Sequence, residues 1–208
     1  MNNVNLARIP LTEAQYKELQ TLPSATIGDV MDRLGIMHGQ IGPVWSGAAM
    51  VGPAFTITTA AGDNKIVHAA LDAAEPGEAI VINGFGEVNR ALIGELIGEK
   101  AKVLGLVGFV IDGAIRDVED LAEIPMPVFA RGVSPAGPYK NGPGVFGEAA
   151  AVGGVVVNTG DIIVADADGV AVIPRARLEE ITQLAREKAE LERQKRAQLK
   201  SGNIPNQL

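Results

Sequence analysis

No cysteine occurs among the 208 residues, which excludes disulfides, thiolate zinc sites and thiol nucleophiles. A reducing cytoplasm is the compartment this predicts. Aromatic residues are scarce, at 4%, so the core must be built from aliphatic and small side chains. Positive charge is in deficit: 18 Lys and Arg stand against 25 Asp and Glu, a net charge of -7. A protein that neutralises phosphates needs a basic face, so nucleic acid is not expected as the main partner. The one basic-rich run, Arg186 to Lys200, is interleaved with Glu187, Glu190 and Glu192 and reads as a solvated helix face. No apolar run reaches membrane-spanning length, because Gly, Asp or Glu interrupts each one. No basic-then-apolar leader is read at the N-terminus. Neither membrane insertion nor export is expected.

What is present suits one α/β domain over residues 1–208. Hydrophobic residues make up 47% and glycines number 25, enough for a buried core with many tight turns. Helices are expected over Thr12 to Gln20, over Ala25 to Leu34 and over Asn64 to Ala74. The second carries a possible capping box from Thr26 to Asp29. Ala48 to Thr59 reads as a strand pair or one bent strand, Ala79 to Asn83 as a buried strand, and Gly84-Phe85-Gly86 as a loop. A helix over Ala91 to Lys102, a strand over Val103 to Asp112, one or two helical turns over Arg116 to Ala122 and a strand over Pro127 to Arg131 follow. Ser134 to Gly147, rich in Gly and Pro, is an irregular loop. Strands are then expected over 154–158 and 161–166, and Asp168-Gly169 turns the chain into a hairpin. A C-terminal helix runs over about 176–199, with a frayed tail after Gly202.

Two segments could carry chemistry. In Asp112-Gly113-Ala114-Ile115-Arg116-Asp117 an apolar strand leads to adjacent Arg and Asp. Ligands gather beyond the carboxyl ends of strands in α/β sheets. Arg116 offers a planar fork for a carboxylate, and Asp117 a hard oxygen for magnesium or manganese. The plain alternative is a surface ion pair, with Asp117 capping a helix. The second segment is Gly94-Glu95-Leu96-Ile97. A helix starting near Gly94 would present free amides to an anion, whereas Leu96 and Ile97 otherwise read as ordinary helix core positions. His68, in an apolar helix, reads as a core or interface residue, and His38 as a solvated one. No His-Glu pair has zinc spacing, no serine has a nucleophile-elbow context, and none of Lys65, Lys100, Lys102 and Lys140 sits in an apolar strand suited to Schiff-base chemistry.

Gly62-Asp63-Asn64, Gly94-Glu95-Leu96-Ile97, Asp112 to Asp117 and Asp161 to Val170, in that order, resemble one family: the 4-hydroxy-4-methyl-2-oxoglutarate and 4-carboxy-4-hydroxy-2-oxoadipate aldolases, whose fold the regulator of ribonuclease activity A shares. The resemblance covers about residues 24–195. Ala61 stands where the family often has proline before Gly-Asp-Asn. The resemblance implies a β/β/α fold of the swivelling phosphohistidine-domain type and homotrimers, often stacked as hexamers, with sites between subunits. It implies a divalent ion, most often magnesium with manganese possible, held directly by Asp117. Arg116 would bind the substrate carboxylate and oxo group, and the amides of Gly94 to Ile97 the pyruvate carboxylate. Glu95 would be an acid close to the metal, with Asp29 and Glu192 added by a neighbouring subunit.

The implied reaction cleaves a 4-hydroxy-2-oxo acid between C3 and C4 to pyruvate and a second oxo acid. Oxaloacetate decarboxylation is expected as a side activity, since it passes through the same enolate. Glu95 or Glu192, acting through a water, is the expected base for the C4 hydroxyl, and the Ser134 to Gly147 loop the expected seat of substrate preference. The alternative is a non-catalytic binding protein that inhibits ribonuclease E through an acidic surface; retention of Arg116, Asp117, Glu95 and Glu192 disfavours it. A quinone-precursor methyltransferase is a third reading, against which stands the lack of a glycine-rich strand-loop-helix suited to the methyl donor.

Overall fold

A computed structural model describes residues 8–202 and 204; the tail after Gly202, expected to fray, lies outside them apart from Ile204. Helix α1 (Glu13–Leu19) opens on a capping box in which Thr12 Oγ1 accepts the Gln15 amide at 3.2 Å and the Gln15 side chain accepts the Thr12 amide at 3.0 Å. Helix α2 (Ser24–Val30) begins earlier than expected, so Thr26 is buried inside it and the box with Asp29 does not form. Asp166 anchors its first residue instead, accepting Ser24 Oγ at 2.6 Å and the Ser24 amide at 2.8 Å. The helix also stops short of Leu34, because Asp32 and Arg33 turn left-handed.

The remaining elements are β1 (Gly42–Pro43), β2 (Met50–Thr59), α3 (Lys65–Ala73), β3 (Ala79–Ile93), α4 (Glu95–Val103), β4 (Gly108–Ile115), α5 (Val118–Glu123), β5 (Val128–Val133), β6 (Gly144–Phe146), β7 (Ala150–Val152), β8 (Val155–Val157), β9 (Ile162–Asp166), β10 (Gly169–Ile173), a 3-10 turn (Arg175–Arg177) and α6 (Leu178–Lys200). The main sheet runs β1-β5-β4-β3-β2-β9-β10, with β6 also on β2. Strands β2 to β5 are mutually parallel, whereas β9 and β10 form the expected antiparallel hairpin. This is the mixed α/β architecture with a C-terminal helix that the sequence predicts.

Strand β2 is one bent strand serving both parts of the sheet. Met50 to Pro53 pair antiparallel with β9, and Ala54 to Thr58 pair parallel with β3. The switch falls at Pro53, which has no amide to give a ladder. Three apolar clusters result. One lies under α3, α4 and α5, one between the two parts of the sheet, and one between the β9–β10 hairpin and helices α1, α2 and α6. Phe55, Phe109 and Phe129 are the largest fully buried side chains, each contributing roughly 1.5–3 kcal/mol by transfer from water.

Gly84-Phe85-Gly86, expected as a loop, lies inside the long β3, where Phe85 and Gly86 take positive φ; two further boundaries differ from expectation, and both shape the site. Ala91 to Ile93 extend β3 rather than starting a helix. They pair with Ala114 and Ile115 across a bulged register and are buried, and a short apolar run cannot distinguish a buried strand from a helix by periodicity. Val103 ends α4, so β4 starts later and runs through Gly113-Ala114-Ile115. Asp112 is therefore inside the sheet, 8% exposed, and not at its end. Arg131 Nε donates to Asp112 Oδ1 at 2.6 Å and the Gly153 amide donates to Oδ2 at 2.9 Å.

Candidate active site

Strands β3 and β4 end side by side, and the Arg116 amide donates to the Ile93 carbonyl at 3.0 Å. Each strand then gives way to a helix almost at once. Gly94 is the N-cap of α4, and Asp117, at φ 59°, stands before α5. The left-handed backbone, which Asp tolerates better than most residues, turns the Asp117 carboxylate away from its own helix. Its Oδ2 accepts the Glu95 amide at 3.1 Å and lies 3.4 Å from Arg116 Nε. The plain alternative, an ion pair with Asp117 capping a helix, is thus met in both parts, but the helix that Asp117 caps is the neighbouring α4 and not α5. Gly94 permits this, since a Cβ there would sit 2.2 Å from Asp117 Oδ2 and 3.0 Å from Arg116 Cγ.

These residues open into a cleft of about 130 Å³ whose walls include Asn64, His68, Leu92, Gly94, Leu96, Arg116, Asp117, Pro138 and Lys140. The loop after β5 forms one wall, and Gly137 lies against the Arg116 guanidinium: a Cβ there would be 3.3 Å from Nη1. The loop is pinned on both sides. Arg90 stacks on the Tyr139 ring at 4.1 Å and donates to the Gly137 carbonyl at 3.2 Å. Asp63 Oδ2 accepts the amides of Asn141 and Gly142 at 2.9 and 2.7 Å, and its Oδ1 accepts that of Lys65 at 2.9 Å. Burial pushes the Asp63 carboxyl pKa up, but these three bonds and the Lys65 charge outweigh it, leaving the value below the ordinary range. The Gly62-Asp63-Asn64 motif is therefore a clamp on the loop. The loop expected to be irregular also includes β6, paired with β2.

Arg116, Asp117, Gly94, Glu95, Leu96 and Ile97 are brought together. Not all four amides of the second segment stay open, however. That of Glu95 is taken by Asp117 and that of Ile97 donates to the Gly94 carbonyl at 3.2 Å, which leaves the Gly94 and Leu96 amides without an acceptor among the described residues. Leu96 is 78% exposed, whereas Ile97 is buried. Asp29 and Glu192 do not reach this cleft within one chain. They flank Lys188 where α2 packs on α6, at 3.0 and 3.4 Å from its Nζ.

His68 is exposed and lines the cleft, which corrects the core half of its reading as a core or interface residue; it falls on the outer side of α3, whose inner face is Val67, Ala70 and Leu71. Burial, then the charges of Lys100 and Lys140, lower its pKa. Lys140 and Asn64 are likewise cleft residues. Asn64 was legible only as part of a motif, and nothing local in the sequence marks Lys140.

Among the described residues no three His, Asp or Glu side chains converge as a ready-made metal cage. The cleft offers one carboxylate, Asp117, whose Oδ1 has no partner among the described residues. That donor set fits a hard, water-rich ion such as magnesium, which keeps several waters and takes further oxygens from substrate. A larger hollow of about 590 Å³ lies where α1 faces the start of β2 and the end of β9. Its walls are mostly apolar, its one carboxylate, Asp166, is engaged by Ser24, and it shares none of the groups described above.

The family model described as Aldolase/RraA, RraA-like, matches residues 24–172. A protein of Halalkalibacterium halodurans, provisionally named a 4-hydroxy-4-methyl-2-oxoglutarate aldolase, is 40% identical over 82% of this chain and 81% of its own length. An uncharacterised protein from Pseudomonas syringae pv. tomato shares the fold with a TM-score of 0.86 at 25% identity, covering 98% of this chain and 96% of the other. Streptomyces coelicolor RraAS2, described as an unusual member of the RNase ES inhibitor RraA family, superposes with a TM-score of 0.82 at 26% identity over 90% of this chain and 98% of its own. The matched span holds every residue of the cleft, and the chain belongs to the Aldolase/RraA family.

Proposed function

We propose that this protein is a divalent-metal-dependent aldolase that cleaves 4-hydroxy-2-oxo acids, such as 4-hydroxy-4-methyl-2-oxoglutarate or 4-carboxy-4-hydroxy-2-oxoadipate, to pyruvate and a second oxo acid. The observation that carries the reading is the convergence of Arg116 and Asp117 at the mouth of β4, locked to the start of α4 by the bond from the Glu95 amide. A binding protein has no use for a cation fork and a hard carboxylate held side by side in a cleft. The name carried by the Halalkalibacterium halodurans relative supports the same reaction class.

Arg116 would hold the oxo acid's carboxylate and oxo group, with the Leu96 amide at the helix N-terminus adding a donor. Breaking the C3–C4 bond leaves its electron pair on the pyruvate fragment as an enolate, and a fixed guanidinium stabilises that charge without reorganisation. Asp117 would hold the magnesium or manganese ion, which supplies Lewis-acid stabilisation of the same charge. The C4 hydroxyl proton must leave as the bond breaks; Glu95 or Glu192, through a water, is the base. Asp29 and Glu192 would come from a second copy in a cytoplasmic homotrimer or hexamer. Oxaloacetate decarboxylation, which needs the same enolate, follows as a side activity.

The test is pyruvate release, coupled to lactate dehydrogenase, from 4-hydroxy-4-methyl-2-oxoglutarate and from oxaloacetate, with magnesium and then with excess chelator. Metal-dependent pyruvate is expected from both. No pyruvate from either substrate, together with no magnesium binding, would overturn the reading. It would favour the second one, inhibition of ribonuclease E, to which the likeness to RraAS2 and the net charge of -7 lend support.

A further inference from the structure

We infer that Asn141 is a site of spontaneous deamidation governed by the Asp63 clamp: the carboxylate that holds the Gly142 amide protects the Asn141 side chain, and opening of the loop exposes it to an irreversible change that then keeps the loop open. This holds whatever reaction the cleft performs.

Asparagine followed by glycine occurs twice in the chain, at Asn83-Gly84 and at Asn141-Gly142. With no Cβ on the second residue, its nitrogen can approach the asparagine side chain closely. The Gly142 nitrogen would bond to Asn141 Cγ, and the side-chain nitrogen would leave as ammonia, taking the proton that the Gly142 nitrogen gives up. Water would then open the cyclic imide through either carbonyl, leaving aspartate or isoaspartate in place of the asparagine. Either product carries a carboxylate that is ionised at neutral pH.

The fold treats the two pairs differently. Asn83 lies inside β3, is 8% exposed and is paired with Asp112 of β4. Its Oδ1 accepts the Phe85 amide at 2.9 Å, so its side chain is committed. Asn141 is exposed, and its side chain has no hydrogen-bond partner among the described residues. Only its backbone is held: the Asn141 and Gly142 amides both donate to Asp63 Oδ2, at 2.9 and 2.7 Å. The packing there is close, since a Cβ on Gly142 would sit 2.9 Å from Asp63 Cγ.

The attack requires the Gly142 nitrogen to release the proton it donates to Asp63. That would break a charge-assisted hydrogen bond and set a developing negative nitrogen against a carboxylate, which like charge disfavours. Asp63 is 2% exposed, so solvent ions screen the repulsion little. Nor can Asp63 take the proton itself: its three amide bonds hold its pKa below the ordinary range despite burial, which makes it a weak base. Closed, the clamp therefore protects; open, it leaves an exposed Asn-Gly pair with a free amide. The product acid would then stand next to Asp63 and repel it, so the loop that carries Lys140 to the cleft wall could not close again as before.

The experiment follows deamidation at both positions by peptide mass spectrometry in mildly alkaline buffer, for the native wild-type chain, the same chain in urea, and Asp63→Asn. In urea both positions should react. In the native chain Asn83 should stay intact, and Asn141 should react about tenfold or more slowly than in urea, the equivalent of one charge-assisted hydrogen bond. Asp63→Asn should raise the Asn141 rate by about the same factor with Asn83 still intact. A native Asn141 rate equal to that in urea, or an unchanged rate in the folded variant, would overturn the inference. If the variant unfolds, which reaction at Asn83 would report, hydrogen exchange in the wild type decides. Slowing of Gly142 amide exchange and of Asn141 deamidation by a common factor relative to urea supports the clamp; a freely exchanging Gly142 amide beside an intact Asn141 overturns it. Asn141→Asp should unfold at lower urea than the wild type, and an equal midpoint would overturn the one-way step.

Discussion

The Asp63 carboxylate accepts the backbone amide of Gly142 at 2.7 Å, and through that bond a residue at the start of α3 sets the position of a loop nearly eighty positions later. The same carboxylate holds Asn141 and Lys65, so one side chain joins the helix bearing His68 to the loop bearing Lys140. Clefts at strand ends are commonly built from mobile loops; this one has a fixed wall.

Replacing Asp63 with Asn should therefore be felt in both stability and activity. The amide can accept fewer of the three N–H bonds and brings donors of its own. A loss of about 1–3 kcal/mol is expected from buried donors left unmet. Urea denaturation checks the first effect, and a raised KM for the oxo acid checks the second. A variant as stable as the wild type would show that the clamp carries no energy.

Gly94→Ala tests the geometry of the centre. Its Cβ would lie 2.2 Å from Asp117 Oδ2, so Asp117 and Arg116 must shift. A displacement of about an ångström can cost on the order of a hundredfold in rate, and pyruvate release should fall by that order while far-UV circular dichroism stays the same. Rates near wild type would mean that neither side chain needs this position.

Asp117→Ala should abolish turnover, and saturating magnesium should not restore it. The variant also loses the cap on α4, which costs about 0.5–2 kcal/mol, so its melting temperature should drop by a few degrees. Calorimetric titration with magnesium separates the two effects. Undiminished metal binding by a folded variant would remove Asp117 as the metal ligand.

Acid stability should follow Asp112 and Asp63. Burial raises the Asp112 pKa, but the Arg131 hydrogen bond, the Gly153 amide and the charges of Arg131 and His38 outweigh it and leave it below the ordinary 3.8. For a carboxyl whose folded pKa is depressed, the stabilisation is fully present above the unfolded value and is lost as pH falls through the folded one. Unfolding free energy should thus hold level down to about pH 5 and decline below about pH 4. Asp112→Asn should be less stable at neutral pH and show a shallower decline. An equal slope in the variant would assign the acid sensitivity elsewhere.

Mixing Asp29→Ala with Asp117→Ala chains tests whether a site is shared between copies. Asp29 lies with Lys188 and Glu192, away from the cleft of its own chain. If a second copy supplies it, mixed oligomers contain some intact sites, and pyruvate release should reappear on mixing two inactive proteins. No recovery after co-refolding would confine the site to one chain.

The sequence by itself determined the elements whose signals are local. The Asp168-Gly169 hairpin, the long amphipathic α6 and the adjacency of Arg116 and Asp117 after an apolar strand depend on turn chemistry, periodicity and neighbouring positions, all legible in a linear chain. Tertiary structure decided the rest. Ala91 to Ile93 became strand because β4 offered a buried ladder, an outcome that periodicity cannot encode. Asp112 became an interior ion pair because Arg131 and Gly153 meet it from other strands and loops. Asp117 caps a helix 22 positions earlier in the chain, and Lys140 reaches the cleft only because Asp63 and Arg90 hold its loop there. Each of these is a contact between residues far apart in sequence. Its energy comes from burial and from satisfying polar groups at a place that exists only once the sheet has closed.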